Sequence, residues 1–392
     1  MRVCFLMAAA AMLVMAGGAV RAQGYEFTAL AVPSGTSLSA NAVNNSGHVA
    51  GSAYLALGVP EAVIWHTPNV TVLNSFGGTS NALAINNSGQ AAGYSFLSGV
   101  GQRAVMWNGG AATPLPRPRG TSVSVAVGIN DSGQIAGVAS PFFGGPSFGV
   151  TWTGERAVFL DQAGGRSSTV TGINNAGDIV GYIEDFQGSG YQRPVVWRET
   201  QALALNSLTE TTCCNQANAI NDRGQVVGRS TIGTSGSVRA VLWNGVVPTA
   251  LTALSDVDFA LGLNNVGQVV GARNAGGGAR TAVLWDLNAG TGVDLNTFLG
   301  QAELEAGWVL YTARDINDHG VIVGDAFNRQ TGNFRPFQLT PVPEQGTFAL
   351  LLSGILMLGS LGIFGRSRCA SLGASEAQLS SRALTLRQDA LA

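Results

Sequence analysis

The sequence predicts an all-β fold, a seven-bladed β-propeller built from repeats of about 44 residues. Three observations predict it. A motif of the form Val/Ile/Leu-Asn-Asn/Asp-x-Gly recurs seven times, an aromatic residue follows each copy at a nearly constant distance, and 54 glycines accompany a hydrophobic content of 46%. A period of this length in a glycine-rich, hydrophobic chain is typical of short strands joined by tight turns.

The repeated motif predicts a chain reversal in each copy. Its leading asparagine can bond to the backbone two residues on, and the glycine tolerates a positive φ. Successive leading asparagines are 42 to 53 residues apart. The predicted turn pairs are Asn44 and Gly47, Asn86 and Gly89, Asn130 and Gly133, Asn174 and Gly177, Asn221 and Gly224, Asn264 and Gly267, and Asn317 and Gly320.

Each repeat has room for four short strands, which is the size of one propeller blade. We expect the first strand to end before the leading asparagine, the second to end at a further glycine such as Gly51, and the third to end at the aromatic residue. We interpret the aromatic row as packing between blades rather than as a platform for stacking sugars. The row consists of Trp65, Trp107, Trp152, Trp197, Trp243, Trp285 and Phe337.

The two ends of the repeat region predict a closed ring. The seventh copy shows no fourth strand before the C-terminal segment, whereas a spare strand at residues 25–32 precedes the first copy. Within it, Leu30 stands 14 residues before Asn44, much as Leu73 stands 13 residues before Asn86. We expect this strand to complete the seventh blade and cover its open edge. The alternative is a β-solenoid or an open array of the same hairpins.

Composition excludes several classes of function. The formal net charge is −2, only 11% of residues are charged, and no basic tract is present, which excludes nucleic acid as a partner. All 21 basic residues are arginine, so the chain has no lysine for Schiff-base chemistry. The three histidines, His48, His66 and His319, have no metal-ligand spacing, and we expect no cofactor. The adjacent Cys213 and Cys214 form either a vicinal disulfide or a pair of thiols on a loop.

The sequence contains no pattern that predicts a catalytic site, and we expect no enzymatic activity. One Gly-x-Ser-x-Gly pattern, centred on Ser147, lies in a segment rich in glycine and proline rather than between a strand and a helix. Only three of the seven turns carry an aspartate after the leading asparagine, so they do not resemble calcium loops. A propeller hydrolase or lyase with two carboxylates across its mouth is the alternative.

Both ends of the chain have the character of targeting segments. Residues 1–22 combine a positive charge, an apolar stretch and small residues up to Ala22, which predicts a secretory signal peptide. Residues 347–365 are uncharged and apolar, and Arg366 and Arg368 follow, as in a membrane-spanning helix with a cytoplasmic flank. The predicted parts are a signal peptide (1–22), a propeller domain (23–340), a sorting segment with the helix (341–368) and a tail (369–392).

The repeats resemble the extracellular repeats of the HAF family, whose units read close to Ile-Asn-x-x-Gly-x-Val-Val-Gly. The resemblance covers residues 25–340 and recurs in all seven copies. It implies an extracytoplasmic repeat protein and assigns no catalytic residue.

The C-terminal segment resembles a PEP-CTERM sorting signal. The resemblance is carried by Val342, Pro343 and Glu344, the apolar stretch, and Arg366 and Arg368. Gln345 stands where that family has a second proline, and the chain continues beyond the arginines. The resemblance implies an exosortase-like membrane protease as partner, transient anchoring in the inner membrane, and release to the envelope surface in association with exopolysaccharide. A plain C-terminal membrane anchor is the alternative.

These features predict an exported cell-surface or extracellular-matrix repeat protein that serves as a structural or interaction scaffold, with exopolysaccharide or other envelope proteins as partners. A propeller module that binds a glycan or a small ligand is the alternative. The two differ in whether loop side chains from several blades converge on one site.

Overall fold

The computed structural model describes residues 24–342 except 33–34, 56–57, 186–190, 210–213, 234–236, 256, 275 and 277–278. In this part of the chain, 28 strands form seven four-stranded sheets, each of which is one blade. The predicted seven-bladed all-β propeller is therefore confirmed, as the compact unit Tyr25–Pro341. No helix among the described residues is long and apolar enough to cross a membrane. The predicted signal peptide, the segment 347–365, the tail and Cys213 lie outside the described residues.

The strands of a blade follow one another from the axis outward, except in the seventh blade. The innermost strands are β2 (Thr36–Val43), β6 (Ser80–Ile85), β10 (Val123–Ile129), β14 (Ser167–Ile173), β18 (Gln216–Ile220), β22 (Asp258–Leu263) and β26 (Trp308–Ile316). The second strands are β3 (Val49–Tyr54), β7 (Ala91–Leu97), β11 (Ile135–Ser140), β15 (Ile179–Glu184), β19 (Val226–Ile232), β23 (Gln268–Asn274) and β27 (Ile322–Asn328).

The outer half of each blade is equally regular. The third strands are β4 (Pro60–His66), β8 (Gly101–Asn108), β12 (Phe148–Thr153), β16 (Gln192–Arg198), β20 (Ser237–Trp243), β24 (Arg280–Asp286) and β28 (Asn333–Val342). The outermost strands are β5 (Asn69–Val72), β9 (Ala111–Pro114), β13 (Arg156–Phe159), β17 (Gln201–Ala204), β21 (Pro248–Ala250), β25 (Thr291–Asp294) and, in the seventh blade, β1 (Gly24–Ala29). Every innermost strand ends at the residue before its leading asparagine, as predicted.

The N-terminal strand closes the ring. It lies beside β28 as the outermost strand of the seventh blade. Just after it, the Leu30 N–H donates to the carbonyl of Pro336 at 2.9 Å, and the equivalent Leu73 N–H donates to the carbonyl of Ala62 at 2.9 Å in the first blade. The prediction of a closed ring is confirmed, and the open array is excluded. Because β1 pairs with β28, the outer edge of β28 is not left unpaired.

The second glycine of each repeat has a different role from the predicted one. The second strand does not end there, because β3 continues from Gly51 to Tyr54 and the other six second strands also continue beyond their glycine. A Cβ on Gly51 would overlap the carbonyl oxygen of Ser39 in β2, beside a bulge in that strand. The same overlap would occur at the equivalent glycine of every blade. Glycine is therefore required for the close approach of two strands at a bulge.

The aromatic row packs between blades. Each of its seven side chains is no more than 2% exposed. Each indole N–H donates to a backbone carbonyl that follows the outermost strand of the preceding blade, at 2.8–3.0 Å. Phe337 has no such donor. In front of the seventh blade, a 3-10 helix (Leu295–Phe298) and α1 (Gln301–Glu305) follow β25. Here the side chain of Asn296 makes the connection, because its amide nitrogen donates to the carbonyl of Leu310 and its amide oxygen accepts the Leu310 N–H.

Candidate functional site

The seven leading asparagines form a closed ring of hydrogen bonds around the propeller axis. Each Nδ2 donates to the backbone carbonyl of the leading asparagine in the next blade, at 2.8–3.1 Å. The last bond runs from Asn317 to Asn44 and so crosses the junction between the seventh blade and the first. All seven side chains are buried. The ring therefore links the inner edges of all the blades.

The same asparagine also shapes its own turn. Its Oδ1 accepts the backbone N–H four residues on, at 2.8–3.0 Å. In the first blade it also accepts the N–H of Ser46, two residues on, at 3.1 Å. The glycine of each turn has a φ between 74° and 91°, a region that other residues reach with strain. One side chain thus ends the inner strand, fixes the turn and joins two blades.

A second closed ring lies at the following position of each repeat. The backbone N–H of each of these residues donates to the Oδ1 of its counterpart in the next blade, at 2.8–3.0 Å. This ring also crosses the junction of the chain ends, from Asp318 to Asn45. Its members are Asn45, Asn87, Asp131, Asn175, Asp222, Asn265 and Asp318.

The three carboxylates of the second ring are separated by amides. No two aspartates are neighbours, and adjacent carboxylates at this spacing would repel each other. Asn45 and Asn87 are the one pair of like neighbours. The side-chain bonds, at 2.9–3.1 Å, run from Asn87 and Asn175 to the Oδ2 of Asp131, from Asn175 and Asn265 to that of Asp222, and from Asn265 and Asn45 to that of Asp318.

These bonds give the second ring a structural role, because they join each blade to its two neighbours. Burial alone would raise the pKa of Asp318, but hydrogen bonds from the Asn265 backbone and from the Asn45 and Asn265 side chains outweigh it and lower that pKa. The carboxylate oxygens are occupied by amide donors, so the ring offers no free set of ligands for a cation. Within the described ranges, no group of three or more His, Cys, Asp or Glu side chains could hold a metal ion.

The central channel continues beneath the two rings. The residue before each leading asparagine is Val, Ile or Leu, and these side chains surround the axis between two cavities of about 160 and 230 Å³. The residue one position earlier is alanine or glycine in six blades, namely Ala42, Ala84, Gly128, Gly172, Ala219 and Gly262. The seventh blade has Asp315 there.

Asp315 places a single carboxylate on the wall of the channel. Its Oδ2 accepts the N–H of Val43 at 2.9 Å, across the junction between the seventh and first blades, and its Oδ1 accepts the N–H of Ile316 at 2.9 Å. Burial raises the pKa of Asp315 to about 6, although these two bonds act in the opposite direction. The adjacent Arg314 pairs instead with Asp325. The junction therefore contains a buried carboxyl group whose pKa lies well above the usual range for aspartate.

The two ends of the ring differ in chemistry. Each inner strand runs toward its asparagine turn and the second strand runs back, so the hairpins between second and third strands lie at the opposite end. We call this the hairpin end, and the other the asparagine end. Eight large apolar side chains of the described residues are exposed on the hairpins of six blades: Tyr54, Phe96, Val100, Phe142, Phe143, Tyr191, Ile232 and Phe334. Because these side chains lie on six hairpins at one end of the ring, that end is the candidate interaction surface.

The remaining residues singled out from the sequence fall at separate places. Val342 is the last residue of β28, whereas Pro343, Glu344, Arg366 and Arg368 lie outside the described residues, so the sorting motif stays a prediction. Ser147 lies in the loop before β12, and two strands follow it instead of the helix that a nucleophile elbow requires.

Two features of the channel were not predicted from the sequence, although the aligned repeats contain them. One is the alternation of amide and carboxylate in the second ring, which is visible when the seven copies are read as a circle. The other is Asp315, the single departure from alanine or glycine at its position.

No family model matches the chain, and no curated protein matches it. Solved structures similar to it include TolB from Acinetobacter baumannii (11% identity, TM-score 0.41, 75% of this chain and 63% of that chain). A puromycin-hydrolyzing peptidase from Mycobacterium tuberculosis (12%, 0.47, 79% and 52%) and a gluconolactonase from Xanthomonas campestris (11%, 0.41, 81% and 90%) are also similar. The chain covers less than two thirds of the first two. These likenesses concern the fold alone.

We expect Asn221→Asp to lower the free energy of unfolding by about 2–4 kcal/mol, although the side chain keeps its size. The Nδ2 of Asn221 donates to the Gln225 side chain and to the carbonyl of Asn264, and a carboxylate oxygen would face both acceptors in a buried site. Urea denaturation followed by tryptophan fluorescence measures the change. The exposed Asn244→Asp is the matched control. Equal stability of the two variants would contradict the role of the ring.

We expect Asp315→Ala to abolish a pH dependence of stability. A carboxyl whose pKa is raised by folding binds its proton more tightly in the folded state, so its contribution is complete below about pH 4 and is lost as the pH rises through 6. The unfolding free energy of the unchanged protein should therefore fall by roughly 2–3 kcal/mol relative to Asp315→Ala between about pH 4 and pH 7. Denaturation at a series of pH values tests this, with the exposed Glu155→Gln as control. Parallel curves for Asp315→Ala and the unchanged protein would show that Asp315 is not responsible.

Proposed function

We propose that this protein is an exported, non-catalytic surface scaffold that binds extracellular polysaccharide through the hairpin end of its ring. The observation that carries the proposal is the set of exposed aromatic and aliphatic side chains on six of the hairpins at that end. The asparagine end, by contrast, is closed by two rings of hydrogen bonds.

The exposed side chains suit a sugar polymer. Aromatic rings present flat apolar faces that can cover the C–H faces of sugar rings, while tyrosine adds a hydroxyl group. Phe142 and Phe143 are 60% and 79% exposed, at the tip of the third blade's hairpin. Side chains spread over several blades favour an extended ligand, because a small molecule would contact only one or two of them.

The closed ring supports a role as scaffold. Both rings of hydrogen bonds are continuous through the junction of the chain ends, so the hairpins project from one rigid frame. Rigid presentation lowers the ordering cost of binding a polymer at many weak contacts.

The proposed location of the protein at the cell surface is supported by the two ends of the sequence. Residues 1–22 read as a secretory signal, and the segment 341–368 resembles a sorting signal for an exosortase-like protease. In this proposal the apolar segment 347–365 holds the protein at the inner membrane until the protease acts, after which the ring reaches the outer surface.

Intact-mass analysis tests the proposed export and sorting. The protein recovered from the cell surface should have lost residues 1–22 and the apolar segment 347–365. Glu344→Ala should keep the apolar segment and remain in the membrane fraction, while Glu26→Ala, outside the motif, should be processed normally. A surface form that retains residues 347–365 would favour a plain anchor over sorting.

Affinity electrophoresis of the full-length chain tests the binding. We expect retarded migration in gels that contain alginate, polygalacturonate, dextran or hydroxyethyl cellulose, with the sharpest effect showing which polymer fits. Phe142→Ser combined with Phe143→Ser should reduce the retardation, because it removes two exposed apolar contacts without touching the core. Val247→Ser is the matched control, since this residue is 62% exposed at the asparagine end. Unchanged migration in all four polymers would refute the proposal.

A further inference from the structure

A pocket between the fifth and sixth blades contains two arginines that share one aromatic ring. The guanidinium carbons of Arg229, in β19, and Arg280, at the start of β24, lie 5.4 and 5.3 Å from the ring centroid of Phe259. All three side chains line a cavity of about 150 Å³. Phe259 and Arg280 stand near the strand ends that face the hairpin end, so the pocket belongs to that end. We call it the two-arginine pocket.

Neither arginine is neutralised by the described part of the protein. The ion pairs found there are Arg193–Asp185, Arg198–Asp178, Arg273–Asp294 and Arg314–Asp325. The Nε of Arg229 is buried and has no hydrogen-bond partner among the described residues. A buried donor without an acceptor is costly, and charged donors are the most costly to leave unpaired. The pocket therefore lacks an acceptor that a bound anion would supply.

The carboxylate of Asp258, the residue next to Phe259 in the sequence, already accepts hydrogen bonds from its own loop. Asp258 precedes Phe259, is 1% exposed, and accepts hydrogen bonds from the Ser255 hydroxyl and the Leu254 backbone. Ala272 lies opposite Phe259 on the neighbouring strand β23. The small side chain of Ala272 leaves the pocket open. The local fold thus keeps the two positive charges free and the space beside them empty of side chains.

The other walls of the pocket suit hydroxyl groups. Gln216 and Asn218 both line it, and their described hydrogen bonds use only the amide NH2 groups, which donate to Gln192 and to the carbonyl of Ala260. Their amide oxygens can therefore accept from a ligand. Thr312 of the seventh blade adds a hydroxyl group. An inorganic anion without a donor group would leave the amide oxygens of Gln216 and Asn218 without a partner.

We infer that the two-arginine pocket binds one negatively charged sugar unit of an acidic polysaccharide. The carboxylate or sulfate of that unit accepts hydrogen bonds from Arg229 and Arg280, whose planar guanidinium groups match both oxyanions. Phe259 holds the two guanidinium groups over its ring, and the hydroxyl groups of the sugar bond to Gln216, Asn218 and Thr312. This inference rests on the proposed function and names the class of polysaccharide.

Titration calorimetry of the full-length chain in a non-ionic detergent tests the inference. The probes are trigalacturonate, its neutral methyl ester, a chondroitin sulfate tetrasaccharide and sodium sulfate. We expect trigalacturonate or the sulfated saccharide to bind at least about tenfold more tightly than the ester, and the stronger of the two identifies the anionic group. Sodium sulfate should bind more weakly than either saccharide.

Matched variants locate the binding. Arg229→Gln and Arg280→Gln should each weaken binding of the acidic saccharide by about tenfold or more, because each removes one charged donor from the anion. Arg156→Gln removes the same charge from an exposed site on the third blade and should leave the affinity unchanged. Circular dichroism checks that all three variants fold.

The failures of the two proposals are distinguishable. If Arg229→Gln and Arg280→Gln bind like Arg156→Gln, or if the ester binds as tightly as the acid, the two-arginine pocket is not the site and the inference is wrong. The proposed function survives that result when polymers still retard the protein through Phe142 and Phe143. If no saccharide binds and no polymer retards the protein, both are wrong.

Discussion

The inner edge of each blade has to be joined to the next around a closed circle, and one asparagine side chain per blade makes that connection. A side-chain amide carries a donor group and an acceptor oxygen that point in different directions within one plane, so it can bond to its own turn and to the neighbouring blade at once. Burial strengthens these bonds and makes each of them costly to lose. The end of each inner strand, the turn and the position of the turn glycine are all tied to this amide.

This constraint divides the molecule into a fixed end and a free end. The asparagine end repeats the leading asparagine and the turn glycine in every blade, with only Asn or Asp between blades at the second-ring position, because the two rings require these groups. The described residues of the hairpins at the other end form no such ring of bonds, and the hairpins differ from blade to blade in length and side chains. Binding surfaces commonly occupy loops that a rigid scaffold holds in place. The exposed aromatic residues and the two-arginine pocket are both at the end where the fold tolerates variation.

The sequence predicts the fold because its strongest signals are local and periodic. The leading asparagines, the aromatic row and the leucine that follows each outermost strand establish the blade number and the closure by β1. Contacts between blades are not local, so the period hides them. The role of Gly51 depends on the carbonyl of Ser39 in a neighbouring strand, and the convergence of Arg229 with Arg280 depends on the packing of two blades. Neither relation has a fixed spacing along the chain.

Amides and carboxylates can alternate perfectly only around a circle with an even number of members. Seven is odd, and the parity mismatch has to appear once, between Asn45 and Asn87. Changing either residue to aspartate would only move the mismatch, because each already has an aspartate on its far side. The pair of like neighbours is therefore a consequence of the odd number of blades. A ring in which amides and carboxylates alternate throughout requires a propeller with one blade more or one blade fewer.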